Sequence, residues 1–234
     1  MGLVGIISDA HGNIHAFRKV LECLDRIGVE QYLFLGDAIG YIPTCAVLEE
    51  ILLRSSQFTC VRGNHEQMLL DGNVHTPNEN IYQMQHVASQ ISAETFSMID
   101  GWKSQATLQL AGLRILMQHG SPQDPLWGYV YPDTELRSQV QFADLVLMGN
   151  THLPFLKQEG DTYWLNPGSC GLPRDDGRFA SAAVMSTNPL HIEILRINII
   201  EETTRVLLEH PTVHDSTKSV FKRRSQNLVG RILE

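Results

Sequence analysis

The sequence predicts an α/β fold in which a parallel sheet opens the chain and a second sheet packs on it. Three observations point there. Short apolar runs alternate with helical patterns through the first third of the chain. Polar residues at the ends of those runs recur at the interval of a βαβ unit. From Thr162 onward the pattern is strand-like again, which suggests the second sheet.

Val4 to Ser8 is the first apolar run and leads into Asp9-Ala10-His11. It has no basic flank and no small-residue cleavage site, so it reads as a strand and not as a signal peptide. Ala16-Phe17, Val20-Leu21 and Leu24 then recur at helical spacing. Tyr32 to Leu35 runs into Gly36-Asp37, and Val47-Leu48, Ile51 and Leu52 predict the next helix. Phe58 to Val61 runs through Arg62 into Gly63-Asn64-His65. Asp9 and Asp37 are 28 residues apart, Asp37 and Asn64 27. Successive βαβ units of that length place their strands parallel and side by side. Residues at the carboxyl ends of such strands converge on one crevice.

Glu66 to Gly101 reads as polar helix, with a loop from Asp71 to Asn80. Gln105 to Leu110 and Leu113 to Met117 read as a hairpin around Ala111-Gly112. The second of these runs leads into His119-Gly120, and Leu145 to Met148 leads into Gly149-Asn150-Thr151-His152. Tyr163 to Leu165, Ala180 to Met185 and His191 to Ile197 follow, the last after an Asn188-Pro189 turn. Lys218, Lys222, Arg223 and Arg224 make a basic tail, read as a solvated helix face or a partner-binding segment. The whole is expected as one domain, 1–234, with a C-terminal extension from about 209.

Composition narrows the function classes. An apolar fraction of 43% and a charged fraction of 19% describe an ordinary globular chain with no run long enough to span a bilayer. The formal charge of −8 opposes stable nucleic-acid binding. It does not oppose a small anionic substrate, because bound cations dominate a local field. Cys23, Cys45, Cys60 and Cys170 form no Cys-x-x-Cys pair and read as buried reduced thiols. Together these features predict a cytoplasmic location, no membrane partner, and leave a homo-oligomer open.

The strand ends carry the chemistry. Asp9, His11, Asp37, Asn64, His119 and His152 are a mixed carboxylate, imidazole and amide set. Two divalent ions held about 3.5–4 Å apart need such a set, with one carboxylate shared. Singly, each residue has a bland alternative as cap, turn or surface histidine. Five strands all ending this way make those alternatives weak in combination.

Asp9-Ala-His11-Gly-Asn13, Gly36-Asp37, Gly63-Asn64-His65-Glu66, His119-Gly120 and Gly149-x-x-His152 resemble the ordered motifs of calcineurin-like metallophosphoesterases. Gly36-Asp-Ala-Ile-Gly-Tyr-Ile-Pro43 and Asn166-Pro-Gly-Ser-x-Gly-x-Pro-Arg-Asp175 resemble the small prokaryotic branch. The motifs span Asp9 to Ser169, about 160 of the 234 residues. The resemblance implies a four-layer αββα sandwich of two mixed sheets flanked by helices. It implies one ion on Asp9, His11, Asp37 and His152, and another on Asp37, Asn64 and His119. Manganese is the expected metal, with iron, zinc, nickel or magnesium as alternatives. His65 resembles the general acid that protonates the leaving oxygen, its alternative being a turn residue. Asn13 either contacts phosphate or caps the following helix. Arg174 either contacts phosphate or pairs with Asp175 or Asp176.

Two positions depart from the family pattern. Asn150 stands where the family has the first histidine of Gly-His-x-His; it is either a weaker ligand of the second ion or a turn residue. Gly40 stands where the protein-phosphatase branch has a second aspartate, which favours small phosphoesters. The expected activity is therefore hydrolysis of phosphodiesters, of cyclic nucleotide or dinucleoside polyphosphate type. A phosphomonoesterase and a non-catalytic metal-binding scaffold are the alternatives.

Overall fold

Ile14, Ala16, Phe17, Val20, Leu21 and Leu24 form the buried face of α1 (Ile14–Arg26), which closes over one face of a sheet. The computed structural model describes residues 2–136 and 142–233. The chain runs β1 (Leu3–Ile7), α1, β2 (Val29–Phe34), α2 (Ala46–Leu53), β3 (Phe58–Cys60) and then four short helices. These are α3 (Asn64–Leu70), α4 (Glu79–Tyr82), α5 (Met84–Gln90) and α6 (Ala93–Asp100). The hairpin β4 (Gln105–Leu110) and β5 (Leu113–Gln118) follows, then β6 (Leu145–Leu147), β7 (Phe155–Glu159) and β8 (Thr162–Asn166). The chain closes with β9 (Phe179–Thr187), β10 (Leu190–Asn198), α7 (Ile200–Glu209), α8 (Asp215–Val220) and β11 (Arg231–Leu233).

The strands make two mixed sheets. The first has the order β11-β10-β9-β1-β2-β3 and the second β4-β5-β6-β8-β7. As the 27- and 28-residue intervals predict, β1, β2 and β3 are parallel neighbours, with Ile7 opposite Phe34 and Phe34 opposite Cys60. In the second sheet β5, β6 and β8 are likewise parallel, with Met117, Leu147 and Leu165 in register. The period of two sorts the side chains. Val4, Ile6, Leu33 and Leu35 meet Ile115, Met117, Leu145, Leu147 and Leu165 between the sheets. Ile7, Tyr32 and Phe34 turn the other way, onto α1 and α2. The outer face of the second sheet, with Leu116, Val146 and Trp164, is covered by Val130, Leu136 and Ala143 from the connection between β5 and β6.

One expectation changes. The strands after Thr162 do not build the second sheet together. β8 joins it, but β9 pairs antiparallel with β1 and carries β10 into the first sheet. Both faces of β9 are buried, so its sequence marks it as interior without saying against which strand. The basic tail is not a single helix face either. Lys218 lies in α8, while Lys222, Arg223 and Arg224 lie beyond it. Arg223 donates to the carbonyl of Arg174, and β11 pairs parallel with β10. No helix among the described residues is long and apolar enough to cross a membrane.

Candidate metal centre

The parallel strands of both sheets end at the same edge, and the loops leaving them converge there. Asp9 and His11 follow β1, Asp37 follows β2, Asn64 opens α3 after β3, His119 follows β5, and Asn150 and His152 follow β6. Asp9, His11, Asp37, His119 and His152 are at most 2% exposed. Of the eight non-glycine residues with positive φ among those described, five belong to this set: Asp9, His11, Asp37, Asn150 and His152. Left-handed backbone is unfavourable for residues with a Cβ and persists where surrounding contacts enforce it. Here the enforcement is visible. Asp9 N–H donates to Gly36 O, and His11 N–H to Asp37 O. Ser169 Oγ donates to Asp9 O, and Asn150 N–H to Asp9 Oδ2.

Three histidines share one arrangement. Nδ1 of His11 lies 3.0 Å from Ile39 O, that of His119 2.7 Å from Leu35 O, and that of His152 2.6 Å from Leu172 O. A carbonyl only accepts, so each Nδ1 carries a proton and each ring turns its Nε2 inward, where a bound cation would take the lone pair in place of a second proton. Those nitrogens face carboxylates and one another. His11 Nε2 is 3.1 Å from His152 Nε2, and the two rings stack. Asp9 Oδ1 is 3.3 Å from His152 Nε2, and Asp37 Oδ2 is 3.3 Å from His119 Nε2 and 3.7 Å from His11 Nε2. Buried Asp9 Oδ1, Asn64 Oδ1 and His119 Nε2 have no hydrogen-bond partner. An inward-facing set of acceptors without donors fits cations. Asp9, His11 and His152 can share one ion; Asp9, Asp37 and His119 can share another.

The charges agree with that geometry. Burial alone would raise the carboxyls of Asp9 and Asp37, but the surrounding imidazoles hold both low. Burial alone would lower His119, yet Asp37 and Asp9 push it up to about 10. His152 is held well below its ordinary value by burial and by Arg174.

His65 stands beside this set, with Nε2 3.9 Å from Asp37 Oδ2 and its ring edge-on to His11 and Tyr82. Burial pushes its imidazole down to about 4, against the pull of Asp37. A Cβ on Gly40, whose φ is +89°, would run into that ring. The position that departs from the protein-phosphatase pattern is thus the one that makes room for His65. Its nitrogen also falls within reach of His11 and Asp37, so the same atom has a second possible use as a ligand.

The remaining expected residues divide. Asn13 is fully buried; its oxygen accepts from Ala16 N–H and its nitrogen donates to Gly171 O. The oxygen is engaged in the capping arrangement, and one of the two amide hydrogens is used on Gly171 O. Arg174 pairs with neither Asp175 nor Asp176, which are held by Arg196 and Arg178. Its guanidinium donates to the Tyr41 hydroxyl at 3.2 Å, near enough for its charge to act on His152. Asn150 donates its amide N–H to Gly128 O at 3.0 Å.

A family model for the calcineurin-like phosphoesterase superfamily domain matches residues 3–189. The chain belongs to that superfamily. It is a phosphoesterase, and its centre is of the metal-binding type that the family carries. Among curated proteins it is 28% identical to an uncharacterized protein of Methanocaldococcus jannaschii over 214 residues, covering 83% of this chain and 87% of the relative. It is 24% identical to the phosphodiesterase YfcE of Escherichia coli K12, covering 79% and 88%. The metallophosphoesterase of Sphaerobacter thermophilus shares the fold at a TM-score of 0.79 and 24% identity, over 94% of this chain and 98% of that one.

Motif spacing missed one buried group of this phosphoesterase. The Glu66 carboxylate accepts the N–H groups of Gly63, Asp37 and Ala38 at 2.7–2.8 Å, tying the β2 loop to the start of α3. Its signal was present, an acid three residues into a helix, where it reads as an ordinary cap. Tyr41 lay within the Gly36 to Pro43 motif without an assigned role, and Tyr82 and Tyr129 carried no signal, because they lie in a short helix and a loop with no spacing code.

Proposed function

We propose that this phosphoesterase hydrolyses small phosphodiesters at a centre of two divalent ions, manganese foremost. The inward-facing Nε2 lone pairs of His11, His119 and His152, with Asp9 and Asp37 between them, carry that reading. Asp9, His11 and His152 would hold one ion, and His119 and Asn64 the other. The Asp37 carboxylate, set between His119 and His11, would serve both. When bound, the two ions would supply Lewis-acid charge at the phosphoryl oxygens and a nucleophile from water near neutral pH.

The chain's own groups do the rest. Arg174 is the cation at the mouth without a carboxylate partner, and its planar fork suits two phosphate oxygens. His65 meets the leaving oxygen and gives it a proton. Its ring is neutral in the buried site, and the negative charge of an arriving phosphoester favours the protonated form. Gly40 and the absence of a second aspartate support small esters over phosphoproteins. The chain is expected in the cytoplasm as one folded unit.

Bis(p-nitrophenyl) phosphate and p-nitrophenyl phosphate, each offered with added manganese, test this. The diester should turn over faster, a chelator should stop it, and metal analysis of the reloaded protein should give two ions per chain. Faster turnover of the monoester, or none with any divalent ion, overturns the reading.

A further inference from the structure

Between Ser121 and Thr134 the chain leaves the His119 loop and runs beside the metal-ligand residues, with Gly120 N–H on Pro125 O. Asp124 organises this segment: its carboxylate accepts the N–H groups of Leu126 and Trp127, and its carbonyl accepts that of Gly128. Tyr131 N–H donates to Thr134 Oγ1, and Thr134 N–H returns to Tyr131 O. The segment is therefore a set of short-range turns with a fixed shape. It is fastened to the metal-ligand loop by the Asn150 amide on Gly128 O.

On this frame stand three half-exposed aromatic rings: Trp127 at 48%, Tyr129 at 53% and Tyr131 at 45%. Tyr129 and Tyr131 lie parallel, with an interplanar angle of 10° and centroids 6.0 Å apart. The charges and phenols that act on the Tyr129 hydroxyl include Arg174, Tyr82 and Asp37, so it stands near the site. Tyr41 and Tyr82 lie edge-on to each other at 5.1 Å, with Tyr41 against His11 and Tyr82 against His65. The site thus has one aromatic pair packed against its imidazoles and another, on the neighbouring turns, left half exposed. Rings left half in water on a rigid turn bind flat π-systems at little ordering cost.

We propose that Tyr129 and Tyr131 form a subsite that stacks a planar ring carried by the phosphoester, and that Asn150 holds this subsite at the metal centre through Gly128. The inference rests on the phosphoesterase reading above and names the class of ester. The ring is either a nucleobase or a simple aryl group.

The test is equilibrium binding to the full manganese-loaded chain, with adenosine 5′-monophosphate, phenyl phosphate, ribose 5-phosphate and inorganic phosphate as probes. A ring should tighten binding about tenfold or more over ribose 5-phosphate, the usual worth of one aromatic stack. A gain with adenosine 5′-monophosphate alone identifies a nucleobase; a gain with both identifies any aryl ring. The Tyr129→Ala/Tyr131→Ala pair should shrink the advantage below about threefold, Tyr129→Phe should keep it, and Asn150→Ala should reduce it. Tyr131→Ala alone is the second variant should the pair fold poorly. Equal affinities for ring-bearing and ring-free probes, or an advantage that survives the double replacement, overturns the subsite. If inorganic phosphate binds and the nitrophenyl diester turns over, only the subsite has failed. If neither occurs, the phosphoesterase reading has failed and the subsite with it.

Discussion

Asp9, His11, Asp37, His119 and His152 at the floor of the cleft are almost fully buried, and four of them sit in left-handed backbone. Trp127, Tyr129 and Tyr131 beside it are half exposed, on turns shaped mainly by hydrogen bonds within the segment. The floor is enforced from outside: three main-chain carbonyls, two from the loop after β2 and one from the loop after β8, fix its histidine tautomers, and Glu66 fixes the carriage of Asp37. Among the described residues the rim is tied to the floor by the side-chain amide of Asn150 on Gly128 O and by Gly120 N–H on Pro125 O. Chemistry common to a superfamily needs the first kind of construction, because a misplaced ligand loses the ion. Choice among esters suits the second, because a ring on a surface turn can change without disturbing the fold.

The largest break is at the floor. Asp37→Ala should abolish turnover and strip metal, since that carboxylate lies against both His119 and His11. Near-normal activity with two ions retained, measured by metal analysis beside the assay, would remove the basis of the centre. Next comes His65→Ala, expected to lower kcat by about 10²–10⁴ while metal content stays high. Esters with very good leaving groups should lose less. A large loss of metal would instead place His65 among the ligands, the other use its position near His11 and Asp37 permits.

Glu66→Gln sharpens the comparison from behind. Its carboxylate accepts three backbone N–H groups, and an amide cannot accept all of them as well. Metal affinity should fall about 10–100-fold, the usual effect of disturbing a ligand's support. Unchanged affinity and thermal midpoint would show that the β2 loop is held by its other contacts. The smallest effect is expected where floor and rim meet. Asn150→His should tighten the second ion several-fold to about tenfold, because imidazole is the stronger ligand for most divalent metals. Metal titration before and after reads this. Unchanged affinity would show that position 150 serves the rim and the turn alone.

The sequence by itself determined the floor and the strands beneath it. Alternating burial needs only a period of two, and a βαβ interval forces adjacent parallel strands, so Asp9, Asp37 and Asn64 had to meet. His119 and His152 were legible for the same reason, each at the end of an apolar run. Tertiary structure decided what pattern cannot encode. β9 is apolar on both faces, so only its pairing with β1 placed it in the first sheet. β7 and β11 were not read as strands at all: β7 alternates on an edge of the second sheet, and β11 has three residues. Asn13 fitted cap and phosphate contact equally in the sequence, and only the fold showed the cap, with Ala16 N–H on its oxygen. Arg174 was freed for the cleft only because Arg196 and Arg178, distant from or merely adjacent to it in sequence, took the two aspartates. The aromatic rim had no spacing rule because turns bring rings together through hydrogen bonds to particular partners, and those partners exist only once the chain has folded.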